Sequence, residues 1–283
     1  MELKMESMRV ACLEPVVRET QNQEQTQELR LGDGMPDIGR ILACWGQPML
    51  RGKEWNSDSI RISGGIMAWV LYQPEDGSEP RSVDCWIPFQ MKWEIPESNQ
   101  DGSIFVRLNL RNLDSRSTSA RKMIVRGNLS AHLEAMEPGE REVYNPENPP
   151  EDLQLSKNLY PADLLQEYGE KGFQMDEELT LPEGTAAPRK LICYCVTPEM
   201  LEQKVLTSRL VFRGKANLHL LYAGEDGEMH PYDTELSFSQ FADLEGEYST
   251  RADCEVLPLL TGAEVNLDEE GRIQVKLGLA GQF

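Results

Sequence analysis

Long apolar runs are absent from this 283-residue chain: none approaches the roughly 18 residues that a membrane-spanning helix needs. The opening MELKMESMRVACLEP also lacks the extended apolar stretch of a secretory signal. Both absences argue against membrane insertion and point to the cytoplasm, or to a surface facing it. Basic side chains are in deficit, with 28 Lys and Arg against 48 Asp and Glu and a net charge of −20. Such a surface repels phosphate backbones and anionic headgroups, which argues against nucleic acid as a partner. Aromatic residues make up only 7%.

The motifs of common enzyme chemistry are missing too. No Gly-rich phosphate loop follows a strand pattern, and neither G-x-S-x-G nor H-E-x-x-H occurs. The three histidines, His132, His219 and His230, lie far apart in sequence. Cys193-x-Cys195 could be half of a metal site, but zinc sites favour C-x₂-C with a matching second pair, and none is present. The other cysteines are Cys12, Cys44, Cys85 and Cys254. They do not recur between the halves of the chain as a disulfide framework would, so they read as buried apolar thiols. No catalytic, cofactor-binding or metal-ligating residue is assigned on this reading, and the chain is expected not to be an enzyme.

What is present is a repeat. Residues 27–77 lie against 177–227 without a gap, and 11 of the 51 positions are identical, where chance would give about three. The markers include Pro48 and Pro198, Gly64 and Gly214, and the turns Asp76-Gly77 and Asp226-Gly227. Asp76 and Asp226 are tempting as a carboxylate pair. Forming the turn beside Gly77 and Gly227 explains their recurrence without chemistry. The offset of 150 returns where RKMIVRGNL sits on GRIQVKLGL.

Within each copy the pattern is that of strands. Leu210, Phe212, Ala216, Leu218, Leu220 and Tyr222 alternate with Arg209, Arg213, Lys215, Asn217 and His219, which predicts a half-buried strand. RILACW and KLICYC are apolar on both faces, which predicts central strands. The expected fold is all-β: two tandem antiparallel β-sandwich-like domains, with a small barrel as the alternative. The expected division is a polar N-terminal extension at 1–26, a first domain at 27–136, a linker at 137–176 and a second domain at 177–283. The linker is Pro-rich and acidic, and PADLLQEYG (Pro161–Gly169) within it predicts one short helix.

ELRLGDGMPDIGRIL, a strand ending VLYQPEDG, an IPF strand and RKMIVRGNLSAHLEA together resemble the DUF3794 or SPOCS domain. That domain occurs in SipL- and SpoVID-like spore-coat and spore-morphogenesis proteins of endospore-forming Firmicutes. EKGFQMDEELTLPEG resembles the lead-in that this family places before a further copy. The resemblance is strongest in the first copy; in the second, PDIGRIL becomes AAPRKLI. It implies a non-enzymatic role in assembling protein layers around the forespore. The implied location is the mother-cell cytoplasm, the spore coat or the forespore surface. The implied partners are other spore-coat morphogenetic proteins, with no cofactor. Family members often carry a C-terminal LysM module; none follows Phe283, so docking through LysM is not implied.

The bare residues agree with an interaction role. Two linked modules raise effective concentration at a partner, and open sheet edges admit strand addition, including by a second copy of the chain. The alternative is a carbohydrate- or cell-envelope-binding sandwich unrelated to sporulation. It would use Trp45, Trp55, Trp69, Trp86 and Trp93, all in the first copy, as exposed coplanar stacking surfaces. Core packing is the ordinary role of such residues. A hydrolase would need converging carboxylates or a metal.

Overall fold

The computed structural model describes residues 5–97, 102–146, 163–268 and 270–283. Among them strands are the only extended regular structure. The first half holds β1 (Met5–Arg30), β2 (Ile38–Asn56), β3 (Ser59–Pro74), β4 (Arg81–Glu94), β5 (Ser103–Ser119) and β6 (Lys122–Pro146). The second holds β7 (Glu170–Leu179), β8 (Pro188–Leu206), β9 (Arg209–Gly224), β10 (Met229–Asp243), β11 (Leu257–Leu267) and β12 (Ile273–Gln282). They form four three-stranded antiparallel sheets. These are β1-β6-β5 and β2-β3-β4 in the first half, and β7-β12-β11 and β8-β9-β10 in the second. The chain is thus all-β, and none of these sheets closes into a barrel.

Irregularities repeat along with the strands. Register shifts at Ile38/Arg40, Ile41/Ala43, Leu50/Gly52 and Leu110/Asn112 recur 150 residues on. Their counterparts are Pro188/Lys190, Leu191/Cys193, Met200/Glu202 and Leu260/Gly262. Bulges re-aim a strand and are seldom placed by accident. Before β2, Met35 N donates to Gly32 O and Glu75 N to Asp37 O. Before β8, Thr185 N donates to Pro182 O and Glu225 N to Ala187 O. Replacing PDIGRIL by AAPRKLI therefore preserves the backbone path. What it removes is the Asp37 carboxylate, which meets Arg121 at 2.7 Å in the first half.

The repeated marker residues hold turns and close packing. Gly77 and Gly227 take φ of +74° and +83°, the left-handed region that glycine enters cheaply. The Asp76 and Asp226 carboxylates accept the N–H groups of Ser78 and Glu228 at 2.9 and 3.1 Å. Pro48 and Pro198 lie opposite Ile66 and Ala216. Gly64 faces Phe89 across the sheet, and Gly214 faces Phe238.

Three expectations need correction. Residues 163–169 are not helical; Pro161 itself lies outside the described residues. A helix of this length is marginal alone, and here Leu165 O accepts the Leu13 N–H while Gly169 pairs with Phe283, so the backbone groups are spent outward. The polar N-terminal residues belong to β1, whose Gln21, Gln23, Gln25 and Gln27 face the same side of the sheet as Ala131, Leu129, Gly127 and Val125. RILACW and KLICYC lie on β2 and β8, which are edge strands; β3 and β9 are central. On β8 the opposite half packs beside Ile192, Tyr194 and Val196, whereas Leu42 and Trp45 of β2 stay 38% exposed.

Among the described residues two hydrophobic clusters form, and each borrows from the other half. The first contains Ile62, Ile66, Val70, Phe89, Met123 and Leu133 of the first half, together with Leu259 and Ala280 of the second. The second contains Phe212, Leu218, Phe238, Val275 and Leu277, together with Met49 and Trp69 of the first half.

A Cβ on Gly64 would stand 2.1 Å from the Met49 carbonyl, and one on Gly214 would stand 2.3 Å from the Glu199 carbonyl. Gly64→Ala and Gly214→Ala should each lower stability by about 1–3 kcal/mol in urea unfolding. Gly172→Ala, with open space around it, should change stability by less than about 0.5 kcal/mol. Equal effects at all three positions would contradict this packing.

Candidate functional site: the junction of the two halves

Strand alternation gives the β2-β3-β4 sheet two faces. Its inner face packs in the first cluster; its outer face presents Trp45, Gln47 and Met49 of β2 opposite Trp69, Met67 and Gly65 of β3. The second half docks on this outer face. Trp69 meets Tyr194 edge-on, with ring centroids 4.7 Å apart. The buried Gln47 carboxamide donates to Val196 O and accepts from Val196 N, closing on the edge of β8 as a neighbouring strand would. Ser82 Oγ donates to Ile192 O at 2.6 Å.

A second amide clamp works in the opposite direction. Gln282, fully buried at the end of β12, donates from Nε2 to Val106 O at 2.9 Å and accepts from Val106 N at 3.0 Å. Its Oε1 also takes the Lys53 ammonium at 2.6 Å. Lys53 donates as well to Ile104 O at 2.8 Å and to the Glu170 carboxylate. Burial lowers the Lys53 pKa, an effect the Glu170 charge opposes. Tyr168 Oη donates to Ile104 O at 2.7 Å, and burial holds its phenol far above the usual range.

The connecting segment 163–169 is tied to both halves. The Glu167 carboxylate accepts from Glu245 N, Gly246 N and Tyr248 Oη at 2.9, 3.2 and 2.8 Å. Burial, and then this carboxylate, push the Tyr248 phenol up to about 12. On the first half, Leu165 O accepts from Leu13 N at 2.7 Å. Two cavities flank the junction. One, of about 650 Å³, runs beside Trp69 and Tyr194. The other, of about 740 Å³, lies beneath residues 163–168.

The tryptophans follow from this docking. Trp45, Trp69 and Trp86 lie on the outer face that receives the second half. Trp69 is buried, and Trp45 and Trp86 remain 38% and 37% exposed at its margin. The Arg51 guanidinium sits over Trp86 at 5.4 Å. Trp93 is in the first core, and Trp55 packs against it. The five do not form one exposed platform.

Each histidine has a carboxylate beside it: His132 with Glu134, His219 with Asp233 and His230 with Asp226. These pairs stand apart and converge on nothing. Among the described residues no group of three or more His, Cys, Asp or Glu is placed to hold a metal ion. The six cysteines are free thiols. The amide clamps went unseen in the sequence, since a glutamine that pairs with a distant backbone carries no local pattern.

A family model described as "SipL, SPOCS domain" matches residues 189–268, which run from β8 through β11. The match falls in the second half, although the resemblance to the domain is stronger in the first. No curated protein and no solved structure matches the chain. No helix among the described residues is long and apolar enough to cross a membrane.

Two outcomes test this geometry. Gln282→Ala strands the N–H and C=O of Val106 in a dry site, so it should cost about 2–4 kcal/mol in urea unfolding; a loss below about 0.5 kcal/mol would show that the clamp is ornamental. Burial lifts the Cys85 and Cys193 thiols to about 11, leaving about one in a thousand as reactive thiolate at pH 8. At Cys195 burial acts in the same direction, but the Thr197 hydroxyl opposes it and the residue is exposed. Iodoacetamide at pH 8 should therefore label Cys195 at least about ten-fold faster than either, as read by peptide mass mapping.

Proposed function

We propose that this chain is a non-enzymatic interaction protein of spore-envelope assembly, built from two tandem SPOCS-type modules packed into one body. The observation that carries the reading is the SPOCS match over residues 189–268, which supports a sporulation-associated protein-interaction role. The common strand order of the halves and the bulges recurring at an offset of 150 support the tandem reading. The partners are other proteins, chiefly spore-coat morphogenetic ones. The place of action is the mother-cell side of the forespore surface or the coat.

The polar groups at the junction support a scaffold. Gln47, Gln282, Lys53 and Tyr168 spend hydrogen bonds on joining the halves, and Glu167 ties the connecting segment to the second. The tryptophans, which would have to form a stacking surface for sugars, serve mainly in packing, so carbohydrate binding finds no support in their placement.

The experiment is to tag the protein in the organism that encodes it and follow it through growth and sporulation. It should accumulate only in sporulating cells and co-purify with envelope proteins. Steady expression in growing cells, with no envelope protein captured, would overturn the reading.

A further inference from the structure

Beneath the connecting segment lies the cavity of about 740 Å³, walled by both halves and by the segment itself. Its apolar lining includes Phe105, Leu164, Leu165, Leu244, Tyr248 and Phe283. Leu164 and Leu165 are 41% and 44% exposed, yet Leu165 O is bonded to β1, and Glu167 and Tyr168 pin the backbone just beyond them. They are thus apolar side chains presented on a fixed backbone. A volume of this size takes a drug-sized ligand or a pair of large side chains.

The charges at the mouth decide what enters. Arg18 pairs with Glu134 at 2.8 Å and Arg107 with Glu255 at 3.3 Å, so these four cancel. Asp163, Glu167 and Asp253 also line the cavity, and among the described residues no ion pair joins any of them to a cation. The rim is therefore net negative. It disfavours a fatty-acid carboxylate or an anionic lipid and favours an apolar group carried next to a cation.

We propose that this cavity receives an apolar or aromatic anchor of a partner protein, held in a short segment with Lys or Arg on its flanks. The proposal rests on the interaction role above and gives that role a site. Apolar burial supplies the affinity, and the acidic rim supplies orientation and rate.

The test uses the full chain and a fluorescein-labelled Lys-Leu-Trp-Leu-Lys amide, read by fluorescence anisotropy. The controls are Glu-Leu-Trp-Leu-Glu amide and dodecanoate as competitors. Leu164→Ser/Leu165→Ser changes two exposed side chains and leaves the backbone bonds in place; Leu201→Ser, at an exposed leucine of β8, is the matched control. The basic peptide should bind at least about ten-fold tighter than the acidic one. The double variant should lose at least about ten-fold in affinity, and Leu201→Ser should lose nothing. Equal binding of both peptides overturns the proposal. So does full affinity in the double variant, displacement by dodecanoate but not by excess unlabelled peptide, or no binding at about 1 mM peptide. Co-purification separates the two readings. If the double variant keeps every envelope partner in sporulating cells, the cavity assignment falls and the assembly role stands.

Discussion

The carboxamide of Gln282 is the constraint on which the arrangement of the halves depends. In the second half, Gln203 donates to Cys254 O and accepts from Val256 N, satisfying the start of β11 from within. At the matching place in the first half stands Lys53, which donates to Ile104 O but has no acceptor to offer Val106 N. Gln282 supplies that acceptor from the other half. A buried backbone N–H without a partner is costly. The first half is therefore complete only with the last strand of the second lying against it.

The same logic runs through the apolar contacts. Met49 and Trp69 enter the second core, and Leu259 and Ala280 enter the first. The residues 150 positions away from these four are Glu199, His219, Asn109 and Ser130, all polar. The repeat is broken at the contact surface itself. The outer face of β8-β9-β10 is polar, with Lys215 held by Glu199 and Glu235 and with His219 beside Asp233. A head-to-tail contact repeated from copy to copy would build an open array. Here the contact is made once, and the equivalent faces that remain do not offer it again.

Much of the fold was legible because strand alternation and turn chemistry are local. Leu210, Phe212, Leu218 and Tyr222 are buried and alternate with exposed or half-buried neighbours. Asp76-Gly77 and Asp226-Gly227 form turns through an aspartate acceptor and a positive φ. The polar extension at 1–26 misled, because a run of Gln gives no sign of a strand unless a neighbouring strand gives one face of it something to lie against. PADLLQEYG misled for a related reason: its local preference was outweighed by partners at Leu13, Ile104, Gly246 and Phe283.

By itself the sequence determined the all-β class, the recurrence of residues at an offset of 150, several strands and turns, and the lack of a familiar catalytic motif. All of these follow from periodicity and residue chemistry over a few neighbouring positions. Only the tertiary structure decided that the halves exchange core residues, that Gln47 and Gln282 act as surrogate strands, and why the tryptophans gather in one copy. Those facts depend on which surfaces meet across more than 100 residues of chain, and the free energy of such a meeting leaves no mark on either segment alone.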